Sequence, residues 1–214
     1  HIEQAVQASL KRLRTDYIDI YFSHRWDDAV PQAQTLAAYD RLLRAGTVRA
    51  IGASNFNAEQ VRAALDVARR ENLPRYQILQ PEYSLMERAS FEGALAGVAI
   101  EQGLAVIPYY ALASGFLTGK YRAEADLAGR ARGDRVRQYL NPRGLGILAA
   151  LDAVAARHQA QLASVAIAWL MRRPGVTAPI ASASRAAQVD ALVQATQLEL
   201  SDEDMTQLTQ ASAL

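Results

Sequence analysis

The sequence contains no cysteine, which excludes disulfide bonds, thiolate catalysis and metal sites built on cysteine. It also has no apolar run that approaches the roughly 18 residues of a membrane-spanning helix. Neither sign of charge dominates, since the formal net charge is +1, and this argues against nucleic acid or an anionic membrane as a partner. No signal-peptide pattern opens the sequence, so we expect a cytoplasmic protein.

Hydrophobic residues are plentiful and make up 50% of the 214 residues. A chain of this size can bury a large core in one domain or in two small ones. From His1 onward, apolar residues repeat at helical spacing with no preceding cap. We therefore expect that the sequence starts in the middle of a domain.

Apolar strands alternate with amphipathic helices along the whole chain. The pattern predicts strands at 17–24, 48–53, 76–79, 104–108 and 176–181. It predicts helices at 1–14, 33–45, 58–70, 91–102, 145–158, 163–172 and 185–195, and a last helix capped by Ser201. The first strand is almost continuously apolar and is expected to be buried on both faces. Residues 111–144 are rich in arginine and glycine with little periodicity, which predicts a long loop.

Alternating strands and helices predict a parallel α/β sheet with right-handed crossovers. Five strands do not close a (β/α)₈ TIM barrel, which needs eight. Three more units of about 30 residues would add on the order of 90 residues upstream. We predict that residues 1–214 are a single barrel domain that holds the last five strands, with the N-terminal strands missing.

Polar and aromatic side chains follow the predicted strands, where parallel barrels carry their working residues. They are His24, Ser54, Asn55, Gln80, Tyr109, Tyr110, Ser182 and Ser184. No two strand ends carry a pair of carboxylates, the histidines lack metal-ligand spacing, and no G-x-S-x-G elbow is present. Amide side chains can satisfy both halves of a carboxamide and a tyrosine can stack on a flat ring, so the set suits a nicotinamide.

Each of these residues also has a plain structural interpretation. A histidine after a strand is usually structural. Ser54 and Asn55 can satisfy their own loop backbone, and Gln80 can cap a strand edge. Tyr109 and Tyr110 are more often core or rim aromatics than a cofactor platform. The functional interpretation therefore depends on the ordered set at successive strand ends.

Four segments, YIDIYFSHRWD, GTVRAIGASNF, LQPEYSL and IPYYALASGFLTGKY, together resemble the aldo-keto reductases. The resemblance covers essentially the whole chain and is closest to the branch with bacterial NADP-dependent reductases and potassium-channel beta subunits. It implies a barrel enzyme that transfers a hydride from NADPH to an aldehyde or ketone carbonyl, with the reverse alcohol oxidation. The implied partner is a small-molecule carbonyl substrate.

The resemblance also implies a role for each matching residue. His24 is the catalytic histidine that orients the substrate carbonyl. Ser54, Asn55 and Gln80 hold the nicotinamide carboxamide, and Tyr109 stacks on the ring. The remaining matches bind the phosphates and the adenosine end of NADP(H), and they are Tyr110, Leu112, Ser114, Gly115, Lys120, Arg130, Ser182, Ser184, Arg185 and Gln188.

Cofactor choice and the substrate pocket can also be addressed from the sequence. NADP is expected over NAD because Lys120, Arg130 and Arg185 can meet the extra phosphate. Trp26 and Tyr83 are expected as walls of the substrate pocket. No metal is expected.

The sequence departs from the family pattern at its start, in the adenine-binding segment, and at Ser182, which replaces a frequent glycine. The family's catalytic aspartate, tyrosine and lysine belong to the first strands, which this sequence does not contain, and the tyrosine is the proton donor. Ala191 and Leu192 stand where the family often has a glutamate and an asparagine on the adenine.

Two other functions stay open at this point. One is an NADP-binding regulatory or scaffold subunit with little turnover. The other is an inactive truncated fragment that forms a homo-oligomer through the open edge of its sheet. Rapid turnover of simple aldehydes would contradict both.

Overall fold

The computed structural model of the protein describes residues 1–213. Its contacts divide the chain into two compact units. The first, which we call the sheet unit, comprises His1–Pro81 and Gly93–Val106. The second, the helical unit, comprises Glu82–Glu92 and the chain from Ile107 onward. Within the described residues, no helix is both long and apolar enough to cross a membrane.

The sheet unit alternates helices and strands as predicted. In chain order its elements are α1 (Ile2–Leu13), β1 (Ile18–Ser23), α2 (Gln32–Arg44), β2 (Val48–Ser54), α3 (Ala58–Arg70), β3 (Ile78–Gln80), α4 (Ala94–Glu101) and β4 (Ala105–Val106). The strands form one sheet in the order β1-β2-β3-β4, and all three neighbouring pairs are parallel. The parallel α/β class is thus confirmed.

Local signals decide where α3 begins. The Asn57 side chain accepts a hydrogen bond from the Gln60 N–H at 2.8 Å, and the Gln60 side chain accepts one from the Asn57 N–H at 3.0 Å. This reciprocal capping box satisfies backbone donors that a helix start leaves free. The apolar residues Val61, Ala64, Leu65 and Ala68 of α3 are all buried.

Strand β1 is less buried than its sequence predicts. Asp19 is exposed and the other five residues are only half-buried. The reason is position, because within residues 1–213 β1 pairs with β2 alone and forms an edge of the sheet. Phe22 still packs closely, since a Cβ on its partner Gly52 would lie 2.3 Å from the Phe22 ring.

The helical unit contains five α-helices within its described residues. They are α5 (Gly133–Arg137), α6 (Pro142–His158), α7 (Leu162–Met171), α8 (Ala186–Gln197) and α9 (Asp202–Ala211), preceded by 3₁₀ segments at Ala113–Thr118 and Glu124–Leu127. Helices α6 to α9 match the predictions to within three residues at their starts. Trp169 on α7 lies fully buried in the core of this unit.

The long loop predicted at 111–144 is wrong, because this segment folds into short helices. Two arginines of this segment make contacts that tie it to other parts of the helical unit. Arg122 makes two hydrogen bonds to Asp152, at 2.7 and 2.8 Å. Arg143 donates to the Ser212 carbonyl at 2.9 Å. These contacts hold together a segment that has little apolar periodicity.

The fifth strand predicted at 176–181 does not form, and the sheet of the described residues has four strands. The Ile180 N–H donates to the Pro108 carbonyl at 3.0 Å. A strand needs a continuous ladder of such bonds, and most of this segment is exposed instead. An apolar run alone therefore did not suffice to predict a strand.

Asp204 lies in the first turn of α9 and is only 2% exposed. It accepts hydrogen bonds from Arg157 Nη2 at 2.5 Å and from the Ser201 N–H at 2.9 Å, and His158 Nε2 lies 2.8 Å away. Burial raises the pKa of the carboxyl, but the hydrogen bonds from His158, Arg157 and Ser201 outweigh it and hold that pKa well below its usual range.

We expect Asp204→Asn to lower the free energy of unfolding at pH 7 by about 3 kcal/mol, because a buried ionic network loses its anion. In the wild type this contribution is complete above the unfolded-state pKa of about 3.9 and is lost as the pH falls below it, since the folded-state pKa is the lower one. Urea denaturation between pH 7 and pH 3 measures both effects. Asp202→Asn is the matched control, because this carboxylate on the same helical turn is 98% exposed. If Asp204→Asn were as stable as the wild type at pH 7, the stabilising role of the buried Asp204 carboxylate would be contradicted.

Candidate active site

One chain of hydrogen bonds connects the ends of β1, β2 and β3. Asn55 Nδ2 donates to the His24 carbonyl at 2.8 Å and to Ser54 Oγ at 3.1 Å. Ser54 Oγ in turn donates to the Gln80 carbonyl at 2.8 Å. Four residues predicted for the site are therefore held together at one edge of the sheet.

The conformation of Asn55 makes this connection. Its φ of 57° lies in the left-handed region, which asparagine adopts more readily than most residues. The backbone turns immediately after β2, and the amide reaches back to the residue that follows β1. The Ser54 side chain beneath it is buried, with 3% exposure.

Two side chains of this group are available to a ligand. Among the described residues, neither the imidazole of His24 nor the side-chain amide of Gln80 is hydrogen-bonded. His24 is exposed and Gln80 is half-buried. An imidazole can donate to a carbonyl oxygen, and an amide offers both a donor and an acceptor.

A buried polar cluster anchors the end of β1, and the sequence analysis missed it. Ser23 Oγ lies 2.9 Å from the Tyr39 hydroxyl and 2.7 Å from the Tyr76 hydroxyl. Tyr76 also donates to Gln32 Oε1 at 3.4 Å. Burial raises the pKa of both tyrosines, although the hydrogen bond with Ser23 opposes this, so their hydroxyls stay neutral. The available signal was the helical spacing of Tyr39 with Leu36 and Leu42, which are buried on the same helix.

Trp26 follows His24 by two residues and is held on two sides. Its indole N–H donates to Asp28 Oδ1 at 2.8 Å. Its ring meets the Phe56 ring edge-on, with centroids 5.3 Å apart. The predicted role of Trp26 as a wall of the substrate pocket stays a prediction.

In the helical unit, Tyr109 and Tyr110 lie in perpendicular contact, with ring centroids 5.0 Å apart. Tyr109 is half-buried and pairs with Glu82 in an isolated parallel bridge. Tyr110 is more exposed, and the Arg135 guanidinium lies over its ring at 5.0 Å and donates to its hydroxyl. The ring predicted to stack on a nicotinamide is thus fixed by neighbours on its own unit.

The backbone between Tyr110 and Gly119 is unusual. Positive φ angles occur at Tyr110, Ala113, Ser114, Gly115 and Gly119. Three of these residues are consecutive, and each non-glycine residue in this region costs on the order of 1–3 kcal/mol. The Leu112 carbonyl accepts from the Gly115 N–H at 2.8 Å. The Tyr110 carbonyl accepts from the Ala113 N–H at 2.7 Å, so both N–H groups are bonded within the turn.

Lys120 lies beside this strained turn. A Cβ on Gly115 would come within 3.3 Å of Lys120 Nζ. Because Gly115 has φ of +95°, it is also the residue of the turn where a side chain fits least. The structure therefore places Lys120 beside Gly115, and the phosphate contacts of Leu112, Ser114, Gly115 and Lys120 stay predictions.

The residues predicted for the adenosine end lie at the start of α8. Gln188 Oε1 accepts from the Ser184 N–H at 2.7 Å, from the Ser184 hydroxyl at 3.1 Å and from the Arg185 N–H at 3.2 Å. Its carbonyl oxygen thus caps the helix. Ser182, Arg185 and Arg130 are exposed. The ligand contacts of all five residues stay predictions.

Tyr83 is not a pocket wall, and that prediction is wrong. The side chain is 1% exposed, and its ring packs against Phe91 and Trp169 at centroid distances of 4.9 and 5.9 Å. Its hydroxyl donates to Glu92 Oε1 at 2.6 Å and accepts from Arg173 Nε at 2.9 Å. Burial raises the pKa of this tyrosine, which is a core residue of the helical unit.

Comparison with known proteins decides the family. A model described as the aldo/keto reductase family matches residues 1–213. The chain belongs to the aldo/keto reductase family. The resemblance seen in the sequence is therefore confirmed over essentially the whole chain.

Three aldo/keto reductase relatives illustrate the extent of the match. Protein tas of Escherichia coli K12 is 34% identical over 97% of this chain and 65% of its own length. L-glyceraldehyde 3-phosphate reductase of the same organism is 30% identical over 96% of this chain and 61% of its own length. The NADH-specific methylglyoxal reductase of E. coli K12 is 32% identical over 96% and 62%. The chain thus spans less than two thirds of the length of these proteins.

Metal ligation has no support among residues 1–213, since no group of three or more histidine, aspartate or glutamate side chains could hold an ion. The chemistry that the aldo/keto reductase chain offers at its strand ends is hydrogen bonding instead. That chemistry depends on the turn at Asn55, which can be tested directly.

We expect Asn55→Ala to lower the free energy of unfolding by about 2 kcal/mol, because it removes the hydrogen bonds to the His24 carbonyl and to Ser54 Oγ and places alanine at a positive φ. Asn55→Gly removes the same hydrogen bonds but tolerates the backbone, and we expect a loss of about 1 kcal/mol. Urea denaturation of the two variants separates the contribution of the amide hydrogen bonds from the cost of placing alanine at a positive φ. A glycine variant as stable as the wild type would show that the amide bonds do not hold the strand ends.

Proposed function

We propose that the protein is an NADP(H)-dependent oxidoreductase that reduces aldehydes or ketones to alcohols and catalyses the reverse oxidation. The observation that carries this proposal is the Asn55-centred hydrogen-bond chain, which leaves the His24 imidazole and the Gln80 amide free at adjoining strand ends. Membership of the aldo/keto reductase family supports it. So do two relatives named for reducing glyceraldehyde 3-phosphate and methylglyoxal.

The strand-end residues suit the two ligands of such a reaction. The Gln80 amide offers a donor and an acceptor to the nicotinamide carboxamide. Ser54 and Asn55 are bonded to each other and to strand-end carbonyls, so they keep the edge rigid around it. When bound, the reduced nicotinamide supplies a hydride to the carbonyl carbon.

His24 acts on the oxygen of the substrate's carbonyl group. Its imidazole donates a hydrogen bond to the carbonyl oxygen and stabilises the negative charge that develops there. The oxygen must also gain a proton. The family resemblance assigns that proton to a tyrosine on strands that this sequence does not contain, so the proposal concerns the protein expressed from its complete coding sequence.

The helical unit supplies its own share of the cofactor contacts. The left-handed turn at Ala113, Ser114 and Gly115, with the Lys120 ammonium beside it, suits a diphosphate. The Tyr109 ring offers a face to the nicotinamide. The attraction comes from the Lys120 ammonium, since the Ala113 and Gly115 N–H groups are bonded to the Tyr110 and Leu112 carbonyls.

We expect His24→Ala to lower kcat/KM for carbonyl reduction by about 10²–10³-fold, because the donor to the developing oxyanion is lost. NADPH affinity should stay unchanged, since His24 contacts the substrate. Steady-state kinetics with simple aldehydes, together with NADPH fluorescence titration, measure the two quantities. His24→Gln keeps a donor and should recover part of the rate. Wild-type kcat/KM in the alanine variant would overturn the role of His24.

The choice between NADPH and NADH rests on exposed cations. Arg185 and Arg130 are exposed, and Lys120 lies beside the strained turn. A guanidinium pairs well with the 2′-phosphate that distinguishes NADPH. One relative is named NADH-specific, so family membership alone leaves this choice to experiment.

We expect Arg185→Ala to weaken NADPH binding by about tenfold and to leave NADH binding unchanged, because a charge-assisted hydrogen bond to the 2′-phosphate is worth about 1.5 kcal/mol or more. Fluorescence titration with each dinucleotide makes the comparison. Arg132→Ala is the matched control, an exposed arginine outside the predicted site. Equal losses for both dinucleotides would contradict a 2′-phosphate contact.

Several other predictions from the sequence are carried forward as proposals. They are the cytoplasmic location, the absence of nucleic-acid and membrane partners, and assembly into a homo-oligomer. NADPH binding without turnover of any aldehyde would favour the regulatory-subunit hypothesis over the enzyme.

A further inference from the structure

The last residue of β1, Ser23, belongs to an ordered chain of hydroxyl groups. Tyr76 donates to Gln32 Oε1 at 3.4 Å, and because an amide oxygen can only accept, the one proton of the Tyr76 hydroxyl is used there. Ser23 Oγ lies 2.7 Å from the Tyr76 hydroxyl and must then donate to it. The Tyr39 hydroxyl, 2.9 Å from Ser23 Oγ, donates to Ser23 in turn. Each hydroxyl thus uses its proton within a single chain of hydrogen bonds.

The partners of Ser23 in this chain are shielded from water. Tyr39, Tyr76 and Gln32 are all buried, and the two tyrosine rings meet edge-on with centroids 6.3 Å apart. A buried hydroxyl that loses its hydrogen bond is costly, so these bonds resist movement of Ser23. The end of β1 is thereby fixed to helix α2 and to the residue that lies just before β3.

The chain on the other side of His24 rests on the same cluster. The Trp26 ring meets the Phe56 ring at a centroid distance of 5.3 Å, and the Phe56 ring meets the Tyr76 ring edge-on at 5.6 Å. Phe56 is buried. Tyr76 therefore supports the residue before His24 through its hydroxyl, and the residue two positions after His24 through its ring and Phe56.

His24 depends on this support because nothing else fixes its ring. Among the described residues no hydrogen bond reaches the imidazole, and the side chain is exposed. Side chains alternate along a strand, so Ser23 and His24 lie on opposite faces at the end of β1. The bonds of Ser23 can therefore hold the His24 backbone and leave the face of the imidazole open to a ligand.

We propose that Tyr76 is a positioning residue for His24, which it holds, through the Ser23 hydroxyl, where the imidazole meets the substrate carbonyl. The inference rests on the proposed function and adds to it a residue outside the predicted site. Placement matters because a shift of about 1 Å at a reacting group can lower the rate by about a hundredfold. Tyr76 acts through His24 and needs no contact with substrate or cofactor.

The first test is Tyr76→Phe in the protein expressed from its complete coding sequence, which removes the hydroxyl and keeps the ring. The substrate is the fastest of a panel of simple aldehydes and ketones, with NADPH as the reductant. We expect kcat/KM to fall about five- to tenfold, because Ser23 loses a hydrogen bond that holds His24. NADPH affinity, measured by fluorescence titration, should stay within about twofold, since His24 contacts the substrate.

The same substitution in a His24→Ala background separates positioning from a general structural loss. If Tyr76 acts through His24, Tyr76→Phe should change kcat/KM by less than about twofold once the imidazole is gone. An equal loss in both backgrounds would show a merely structural role and overturn the inference, while the proposed function would stand. Wild-type kcat/KM in Tyr76→Phe would overturn the inference as well.

Tyr21→Phe is the matched control, because it removes from the same strand a hydroxyl that makes no hydrogen bond among residues 1–213. Its ring, which meets the Tyr39 ring edge-on, is kept. This variant should leave kcat/KM and NADPH affinity within about twofold of the wild type.

Ser23→Ala removes the partner of the Tyr76 hydroxyl and tests the inference independently, also where Tyr76→Phe fails to fold. We expect a similar loss of kcat/KM with His24 present and a change of less than about twofold without it. Equal losses would again overturn the inference. A wild-type protein that reduces none of the panel would overturn the proposed function together with the inference.

Discussion

The amide of Asn55 is the contact on which the strand-end site depends. Parallel strands end with backbone carbonyls that have lost their ladder partners, and such groups must be satisfied. Asn55 takes up the carbonyl of His24, and Ser54 takes up that of Gln80. Because these two side chains also bond to each other, the ends of three strands become one rigid edge. The imidazole of His24 and the amide of Gln80 can then point at a ligand from fixed backbone.

Elements with local signals could be predicted from the sequence, and elements decided by distant partners could not. The start of α3 follows from Asn57 and Gln60, which are three residues apart. The burial of β1 could not be predicted locally, because an edge strand and a central strand can have the same apolar sequence. The folded segment after β4 depends on pairs such as Arg122 with Asp152, which no periodicity reveals.

The residues of the candidate site also divide into those with local sequence signals and those whose environment depends on distant partners. The sequence could predict that Ser54, Asn55 and Gln80 lie together, because each lies at or just after the end of a strand and parallel sheets gather such positions at one edge. Tyr83 was misplaced because a tyrosine with a bonded hydroxyl suits a core as well as a pocket. The cluster of Ser23, Tyr39 and Tyr76 was missed because its members are brought together only by the fold.

The two tryptophans are distributed so that each unit has one. Trp26 is half-buried in the sheet unit next to Asp28 and Phe56, and Trp169 is fully buried in the helical unit. With the other tryptophan replaced by phenylalanine, the intrinsic fluorescence of each one reports on its own unit. The chain thus carries two separate optical probes, and the superposition of their melting curves would reveal whether the units unfold as one cooperative body.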